Sequence, residues 1–463
     1  MNRKLTLVLT GLMVCLVAAV VFGTAVSDED WKQTQKQFTE SYAKAKAGAE
    51  RAIAIQKLLD SDHPEAVKML ANTIMPRELK EEDALVMETI TNALLQLRDA
   101  NAVSEVISAT KKSAGPARII WMRSIAKYEN PEARVVLLEG LNSSDMAVKM
   151  AAIDALSETT PPEAFAKVME ALGSKTWEIK ACAISYMAKL QNEEEKKKAL
   201  EALRSMRPKE TGRFRNDISE AINILAQSTM ASKEEGNKTF AFFNIPLEGD
   251  VVFVVDVSLS MKQGRTKEGP TRYEVLIREL KKSIDMMSQI KPPVKFNIIA
   301  YSEKAQEWQP SLVPITNDYK NAALKWIDEL KLGQFTNIYD GLETALVGQN
   351  KGGQKAVVTG GSGTPSPYTI CILTDGKANQ GKYTDPNQIL AAVRALNKTR
   401  KIRINTLALG VGADSGMGGG MGGGGGPGGG GGPGGGPPAG AFSIDTELMK
   451  KLAEQNNGVY KEF

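Results

Sequence analysis

One short apolar segment in the C-terminal half restricts the fold more than any other feature of the chain. From Asp250 to Asp256 the sequence is a run of valine and phenylalanine between two carboxylates. An unbroken apolar run of β-type residues is typical of a strand that is buried on both faces. Strands of that kind belong to parallel sheets whose faces are covered by helices. The segment therefore predicts an α/β domain.

Helical and strand patterns alternate after this first strand. Such alternation predicts a mostly parallel, doubly wound sheet of Rossmann-like type, with helices on both faces. Helices are expected at Tyr273–Gln289, Asp318–Leu330, Tyr339–Val347, Pro386–Thr399 and Thr446–Asn456, and further strands at Val294–Tyr301, Tyr368–Thr374, Ile402–Gly410 and Gly458–Phe463.

The preceding segment, from Trp31 to Gln227, has helical periodicity and contains an internal repeat. Related hexapeptides begin at positions 117, 148 and 179, a spacing of 31 residues. A Pro-Glu-Ala triplet recurs with the same spacing at Pro131 and Pro162, and proline suits the first turn of a helix. A repeat of this length predicts stacked helix pairs.

These helix pairs resemble HEAT repeats, in which each pair buries the apolar face of its neighbour. The resemblance implies an all-α helical-repeat domain over residues 31–230, a linker at 231–248 and the α/β domain at 249–463. An array of this kind most often presents a surface to another protein, although it can also act as a spacer. An irregular helical bundle is the alternative architecture.

The N-terminus has the pattern of an export signal. A short basic region with Arg3 and Lys4 precedes a nearly unbroken apolar run from Leu5 to Phe22, and small residues follow up to Ala25. This predicts a signal peptide over residues 1–25, or an uncleaved membrane anchor because the run is long. A lipoprotein at Cys15 is less favoured. Each alternative makes the protein periplasmic, envelope-bound or secreted.

Scarce histidine and cysteine exclude several classes of site. His63 is the single histidine, so Ser-His-Asp or Cys-His catalysis would have to depend on that residue. Beyond the leader, Cys182 and Cys371 lie in unrelated apolar patterns, which indicates buried thiols rather than a disulfide framework or a zinc site. The formal charge of +4 on 463 residues gives no indication of a nucleic-acid partner.

Polar side chains lie in three loops of the predicted α/β domain. Asp256, Ser258 and Ser260 follow the first strand, Asp375 follows another strand, and Thr336 lies between two helices. In a doubly wound sheet these loops meet at the carboxyl edge of the strands, where ligands bind. Carboxylate and hydroxyl oxygens are the ligands that a hard divalent cation prefers. The pattern predicts one cation site.

The three motifs resemble the metal-ion-dependent adhesion site (MIDAS) of the von Willebrand factor A (VWA) family. They are Asp-x-Ser-x-Ser from Asp256, Thr-Asn-Ile-Tyr-Asp-Gly from Thr336, and Thr-Asp-Gly around Asp375. The resemblance covers about residues 250–463. It implies that Ser258 and Ser260 contact the metal through their hydroxyls. It also implies that Thr336 joins directly or through water, whereas the two aspartates act largely through water and hydrogen bonds.

The resemblance further implies a binding function and no catalysis. Mg²⁺ favours about six oxygens at roughly 2.1 Å and keeps several waters, so the site would be open to a carboxylate from a partner. Mn²⁺ and Ca²⁺ are alternative cations. The expected protein is therefore an exported, non-enzymatic adhesion-type protein that captures an acidic residue of a protein ligand.

The loops around the predicted site have two unusual features. Gln334 and Phe335 occupy the positions where many VWA domains have two glycines. The family pattern therefore does not predict the backbone conformation at Thr336. Several basic residues follow Ser260 and either steer an acidic ligand or form an ordinary solvated loop. They are Lys262, Arg265, Lys267 and Arg272.

Two inserts interrupt the predicted α/β domain. Residues 414–440 are almost pure glycine with proline and methionine, which predicts a disordered, flexible linker on the same edge as the cation site. Asn350 to Pro367 forms the other insert, at the opposite edge of the sheet.

Three other functions compete with cation-dependent binding. Gly376 to Lys382 fits the start of a phosphate-binding loop, but Tyr383 replaces the Ser or Thr that would hold Mg²⁺. Metal-assisted hydrolysis has no histidine base in this domain. A scaffold whose helical repeats bind the partner, with an incidental cation, is the main alternative.

Overall fold

The computed structural model describes residues 28–226, 240–263, 269–348, 367–410 and 444–463. Several predictions concern residues outside these ranges: the leader at 1–25 with Cys15, the glycine-rich insert at 414–440, most of the insert before Tyr368, and the basic residues Arg265 and Lys267. Among the described residues, no helix has both the length and the apolar character needed to cross a membrane.

The chain forms two compact units, residues 1–139 and 140–463. The described part of the first unit consists of helices whose apolar faces form its core, with Ile55, Leu58 and Ile90 fully buried. Its α-helices are Asp28–Lys44, Gly48–Leu59, Pro64–Met69, Met75–Glu81, Ala84–Leu94, Ala100–Lys112, Gly115–Ser124 and Pro131–Gly140, with a π-helical turn at Leu70–Ile74.

The second unit begins with further helices that carry the 31-residue repeat. The hexapeptides from Val148 and Ile179 lie within two of these helices, and Pro162 begins the helix between them, as predicted. Asp145 caps the first of them by accepting hydrogen bonds from two backbone N–H groups. The α-helices of this segment are Met146–Leu156, Pro162–Ala171, Trp177–Met187, Glu193–Met206 and Gly212–Leu225.

A mostly parallel seven-stranded sheet follows in the same unit, as the alternation predicted. Its strands are numbered after a preceding hairpin, β1 (Phe240–Phe242) and β2 (Ile245–Leu247): β3 (Asp250–Asp256), β4 (Lys295–Tyr301), β5 (Ala305–Glu307), β6 (Val313–Pro314), β7 (Tyr368–Thr374), β8 (Arg403–Ala408) and β9 (Tyr460–Glu462). The strand order is β5-β4-β3-β7-β8-β9, with β6 also paired to β4; β5 and β6 run antiparallel to β4. The helices between them are Arg272–Met287, Asn317–Asp328, Ile338–Glu343, Pro386–Asn397 and Thr446–Glu454.

β3 lies in the middle of the sheet, between β4 and β7. All its residues from Val251 onward are buried, which is the expected result for an apolar run covered on both faces. β7 is buried along its whole length. Because both strands are parallel and in register, their carboxyl ends lie side by side and place Asp256 and Asp375 at the same edge.

Residues 231–248 were predicted to be a linker. They contain a hairpin that the sequence pattern did not predict. β1 (Phe240–Phe242) and β2 (Ile245–Leu247) form a two-stranded antiparallel sheet that packs into the core of the α/β domain. Both turn residues, Phe243 and Asn244, have positive φ, as a tight two-residue hairpin requires. The Phe243 ring is buried edge-on against Phe463, and this packing offsets the strained backbone.

Ion pairs connect the helices after Gly140 to the sheet within the second unit. Arg403, at the start of β8, contacts Asp217 at 2.7 Å and Glu220 at 3.3 Å. Lys401 contacts Asp154 at 2.8 Å. The Arg403 and Asp217 side chains are each 17% exposed, so water weakens their interaction less than it does for a surface pair.

Replacing Arg403 by glutamine (Arg403→Gln) is expected to lower the free energy of unfolding by about 1.5–3 kcal/mol, because it removes charge-assisted hydrogen bonds. Urea unfolding followed by tryptophan fluorescence measures the change. Lys325→Gln is the matched control, since the side chains of the Lys325–Glu329 pair are 79% and 64% exposed. Equal stability of the two variants would contradict the prediction.

Candidate metal centre

Asp256 ends β3, and its carboxylate organises the loop that follows. One oxygen accepts the Ser258 N–H at 2.8 Å, and the other accepts the Thr374 hydroxyl at 2.8 Å. The chain then turns in a 3₁₀ helix at Leu259–Lys262. Asp256 and Ser258 are buried, so this loop is a fixed part of the sheet edge.

The two predicted serines and Asp375 form a continuous chain of hydrogen bonds. The Ser258 and Ser260 hydroxyls are 2.9 Å apart. The Ser260 hydroxyl donates to Asp375 Oδ1 at 2.6 Å. Residues that are far apart in the sequence thus direct three neighbouring oxygens to one place.

Thr336 approaches the same place from the loop between two helices. Its N–H donates to Asn379 Oδ1 at 2.8 Å, and its carbonyl accepts the Asn379 N–H at 3.1 Å. A Cβ placed on Gly376 would be 3.8 Å from both the Ser260 and the Thr336 hydroxyl oxygens. Hydrogen bonds thus link Asp256, Ser258, Ser260 and Asp375, and the hydroxyls of Ser260 and Thr336 both border Gly376.

The two carboxylates have perturbed acidities. Burial, reinforced by the nearby Asp375 charge, raises the pKa of Asp256 to about 7. Burial also raises the pKa of Asp375, while hydrogen bonds from Ser260 and the positive charge of Arg272 oppose that rise. Two buried carboxylates at one edge make the centre favourable for a cation.

Arg272 has a different role from the other basic residues near this edge. Its Nη1 lies 3.1 Å from Asp375 Oδ2, and its side chain is only 14% exposed. A Cβ at Gly410 would lie 2.5 Å from Arg272 Nε, so glycine there leaves the space for the guanidinium. Lys262, in contrast, is exposed. Arg272 is therefore part of the centre, which the interpretation as a solvated loop missed.

The backbone around Thr336 is fixed without the two glycines. The N–H of Gln334 donates to Glu303 Oε1 at 2.7 Å, and Asn379 holds Thr336 on the other side. Phe335, between them, is 41% exposed. The sequence pattern did not predict a role for Glu303 or Asn379, although Asn379 lies in the segment Gly376–Lys382 that fits the start of a phosphate-binding loop.

The donor atoms suit a hard divalent cation. The five predicted residues offer only oxygens, from two carboxylates and three hydroxyls, as Mg²⁺, Mn²⁺ or Ca²⁺ prefer. No group of three or more His, Cys, Asp and Glu residues that could hold a metal occurs among the described residues. The nitrogen and sulfur ligands typical of structural zinc are thus not clustered in that part of the chain.

Known family models match both parts of the chain. The model for HEAT repeats matches residues 105–188 and 135–223, and the model for the von Willebrand factor type A domain matches residues 251–378.

Curated relatives match about a third of the chain. Inter-alpha-trypsin inhibitor heavy chain H1 of Mesocricetus auratus is 31% identical over 185 residues, which are 38% of this chain and 18% of that protein. A UPF0353 protein of Nocardia farcinica is 32% identical over 163 residues, 35% of this chain and 44% of that protein. The chain thus spans less than half the length of either relative.

Solved structures match this chain with low overall similarity, as two examples show. A von Willebrand factor type A structure from Catenulispora acidiphila has 15% identity and a TM-score of 0.32, covering 47% of this chain and 39% of that chain. An aerotolerance-related membrane protein from Bacteroides fragilis has 18% identity and a TM-score of 0.30, covering 46% and 91%.

The family matches confirm the predictions of HEAT-like repeats and of a doubly wound α/β domain. The protein carries HEAT repeats followed by a von Willebrand factor type A domain.

Proposed function

We propose that this protein is an exported, non-enzymatic binding protein that captures an acidic residue of a protein partner through a divalent cation in its VWA domain. One observation carries the proposal: the oxygens of Ser258, Ser260 and Asp375 form a chain with spacings of 2.9 and 2.6 Å at the carboxyl edge of the sheet. Loops at this edge are where doubly wound folds bind their ligands.

Each residue of the proposed site has a distinct task. The Ser258 and Ser260 hydroxyls would contact the cation, and Asp256 holds the Ser258 backbone in place. Asp375 orients Ser260, while Asn379 positions Thr336. A cation held there would attract a carboxylate of the partner as a further ligand. Neutral hydroxyls leave much of the cation's charge available for that carboxylate.

The histidine distribution supports binding over catalysis. His63 is the single histidine of the chain, and it caps a helix in the first compact unit, where its Nδ1 accepts the Glu65 N–H at 3.2 Å. The VWA domain therefore has no imidazole to act as a general base. The helical repeats would serve as a stalk or as a second binding interface.

Ser258→Ala is expected to weaken cation binding by at least about tenfold, because it removes one hydroxyl ligand and interrupts the hydrogen-bonded chain. Titration of the metal-free protein with Mg²⁺ or Mn²⁺ by calorimetry measures this affinity. Ser288→Ala, on the exposed end of the helix Arg272–Met287, is the matched control. Equal cation affinities of the wild type, Ser258→Ala and Ser288→Ala would contradict the assignment of Ser258 as a ligand.

Removal of the cation is expected to release the partner. Immobilised full-length protein is incubated with an envelope extract, and the captured proteins are quantified by mass spectrometry with Mg²⁺ or with EDTA. Partners should be lost in EDTA and also with Ser258→Ala in Mg²⁺. Capture that is insensitive to both would refute cation-dependent binding and favour the helical repeats as the binding surface.

Arg272→Gln is expected to tighten cation binding by about tenfold, or ~1.4 kcal/mol, because it removes a positive charge that competes for Asp375. The same change leaves a buried carboxylate without its ion-pair partner, so the metal-free protein should melt earlier. Thermal melting with and without Mg²⁺ tests both effects, and Arg272→Lys, which keeps the charge, is the control. If Mg²⁺ raises the melting temperature of Arg272→Gln no more than that of the wild type, Arg272 does not compete with the cation for Asp375.

A further inference from the structure

Two large apolar side chains adjoin the proposed cation site and face solvent. Leu259 is 49% exposed and lies between Ser258 and Ser260. Phe335 is 41% exposed and directly precedes Thr336. Isolated exposed apolar residues are common on protein surfaces. Here, however, each is the immediate neighbour of a proposed ligand, and both are on loops of the same site.

The two loops are joined directly. Gly333 donates its N–H to the Val257 carbonyl at 2.8 Å, and Gly333 and Ser258 form an isolated parallel β-bridge. The hydroxyls of Ser260 and Thr336 also lie at equal distances, 3.8 Å, from a Cβ built on Gly376. The apolar side chains therefore belong to two connected walls around one polar centre.

The local structure keeps Leu259 outside. It begins the 3₁₀ turn whose Met261 is fully buried in the core. Ser258 and Ser260, on either side of it, are tied together by their hydroxyl–hydroxyl contact. A turn that buries Met261 and directs both serines to the centre leaves Leu259 at the surface.

The same holds for Phe335. The N–H groups of the residues before and after it donate to Glu303 and Asn379. These hydrogen bonds fix the backbone on both sides of Phe335, and in this conformation its side chain is 41% exposed. The contacts that position Thr336 thus also position Phe335.

We propose that the site recognises an acidic residue flanked by large apolar side chains in a protein segment, with the flanking side chains held by Leu259 and Phe335. The inference rests on the proposed cation-dependent function and specifies its partner. Burial of apolar surface next to the coordinated carboxylate would add affinity that charge alone does not supply. The exposed Lys262 and Lys377, on loops of the same edge, add attraction for an acidic segment.

A peptide selection tests this directly. A random displayed peptide library is bound to the immobilised full chain in Mg²⁺, and peptides released by EDTA are sequenced. We expect an Asp or Glu with Leu, Ile, Phe or Met as a neighbour. If EDTA releases no peptide that contains an acidic residue, the proposed function itself is refuted. Acidic peptides without apolar enrichment would refute only this inference.

Variants then assign the enrichment to the two side chains. Leu259→Ser and Phe335→Ser should each weaken a selected peptide about tenfold, measured by fluorescence anisotropy, while calorimetric Mg²⁺ affinity stays unchanged. Val459→Ser is the matched control: Val459 is 48% exposed but directly precedes β9, the edge strand that β7 and β8 separate from β3. Full peptide affinity in both loop variants would refute the assignment.

Discussion

Burial of two carboxylates at the ends of adjacent parallel strands is the constraint on which the rest of the site depends. Asp256 and Asp375 are both fully buried, and burial of an uncompensated charge is costly. The chain compensates each differently. Asp256 accepts a backbone N–H and the Thr374 hydroxyl, whereas Asp375 accepts the Ser260 hydroxyl and pairs with Arg272. Part of the negative charge would be left for the proposed cation.

Arg272 compensates only part of the negative charge of the two carboxylates. One guanidinium opposes two carboxylates, so the centre keeps a net negative charge when both are ionised. The side chain of Arg272 is held in place because Gly410 leaves space for it. A divalent cation would neutralise the remaining negative charge. Its affinity would depend on how strongly the Arg272 guanidinium binds Asp375. The charges of Asp256, Asp375 and Arg272 therefore affect both the stability of the fold and the proposed cation binding.

Much of the α/β domain could be predicted because burial pattern and chain order determine a parallel sheet. Tyr368–Thr374 is a strand with the predicted bounds, and the helix from Pro386 ends within two residues of its predicted end. The hairpin β1–β2 could not be predicted, because its turn uses Phe243 and Asn244 at positive φ without a glycine. Its apolar residues pack into the core of the α/β domain, with Phe243 against the distant Phe463, and no local sequence pattern indicates such contacts.

The five site residues could be named from their motifs, but the contacts that hold them could not. Glu303 and Asn379 are distant in sequence from Thr336, yet their side chains fix the backbone on either side of Phe335. Glycines at 334 and 335 would leave that loop free to adopt many conformations, whereas fixed N–H groups restrict it. A side chain at 335 is then tolerated without strain and is available to a partner. The departure from the family pattern thus becomes a source of specificity.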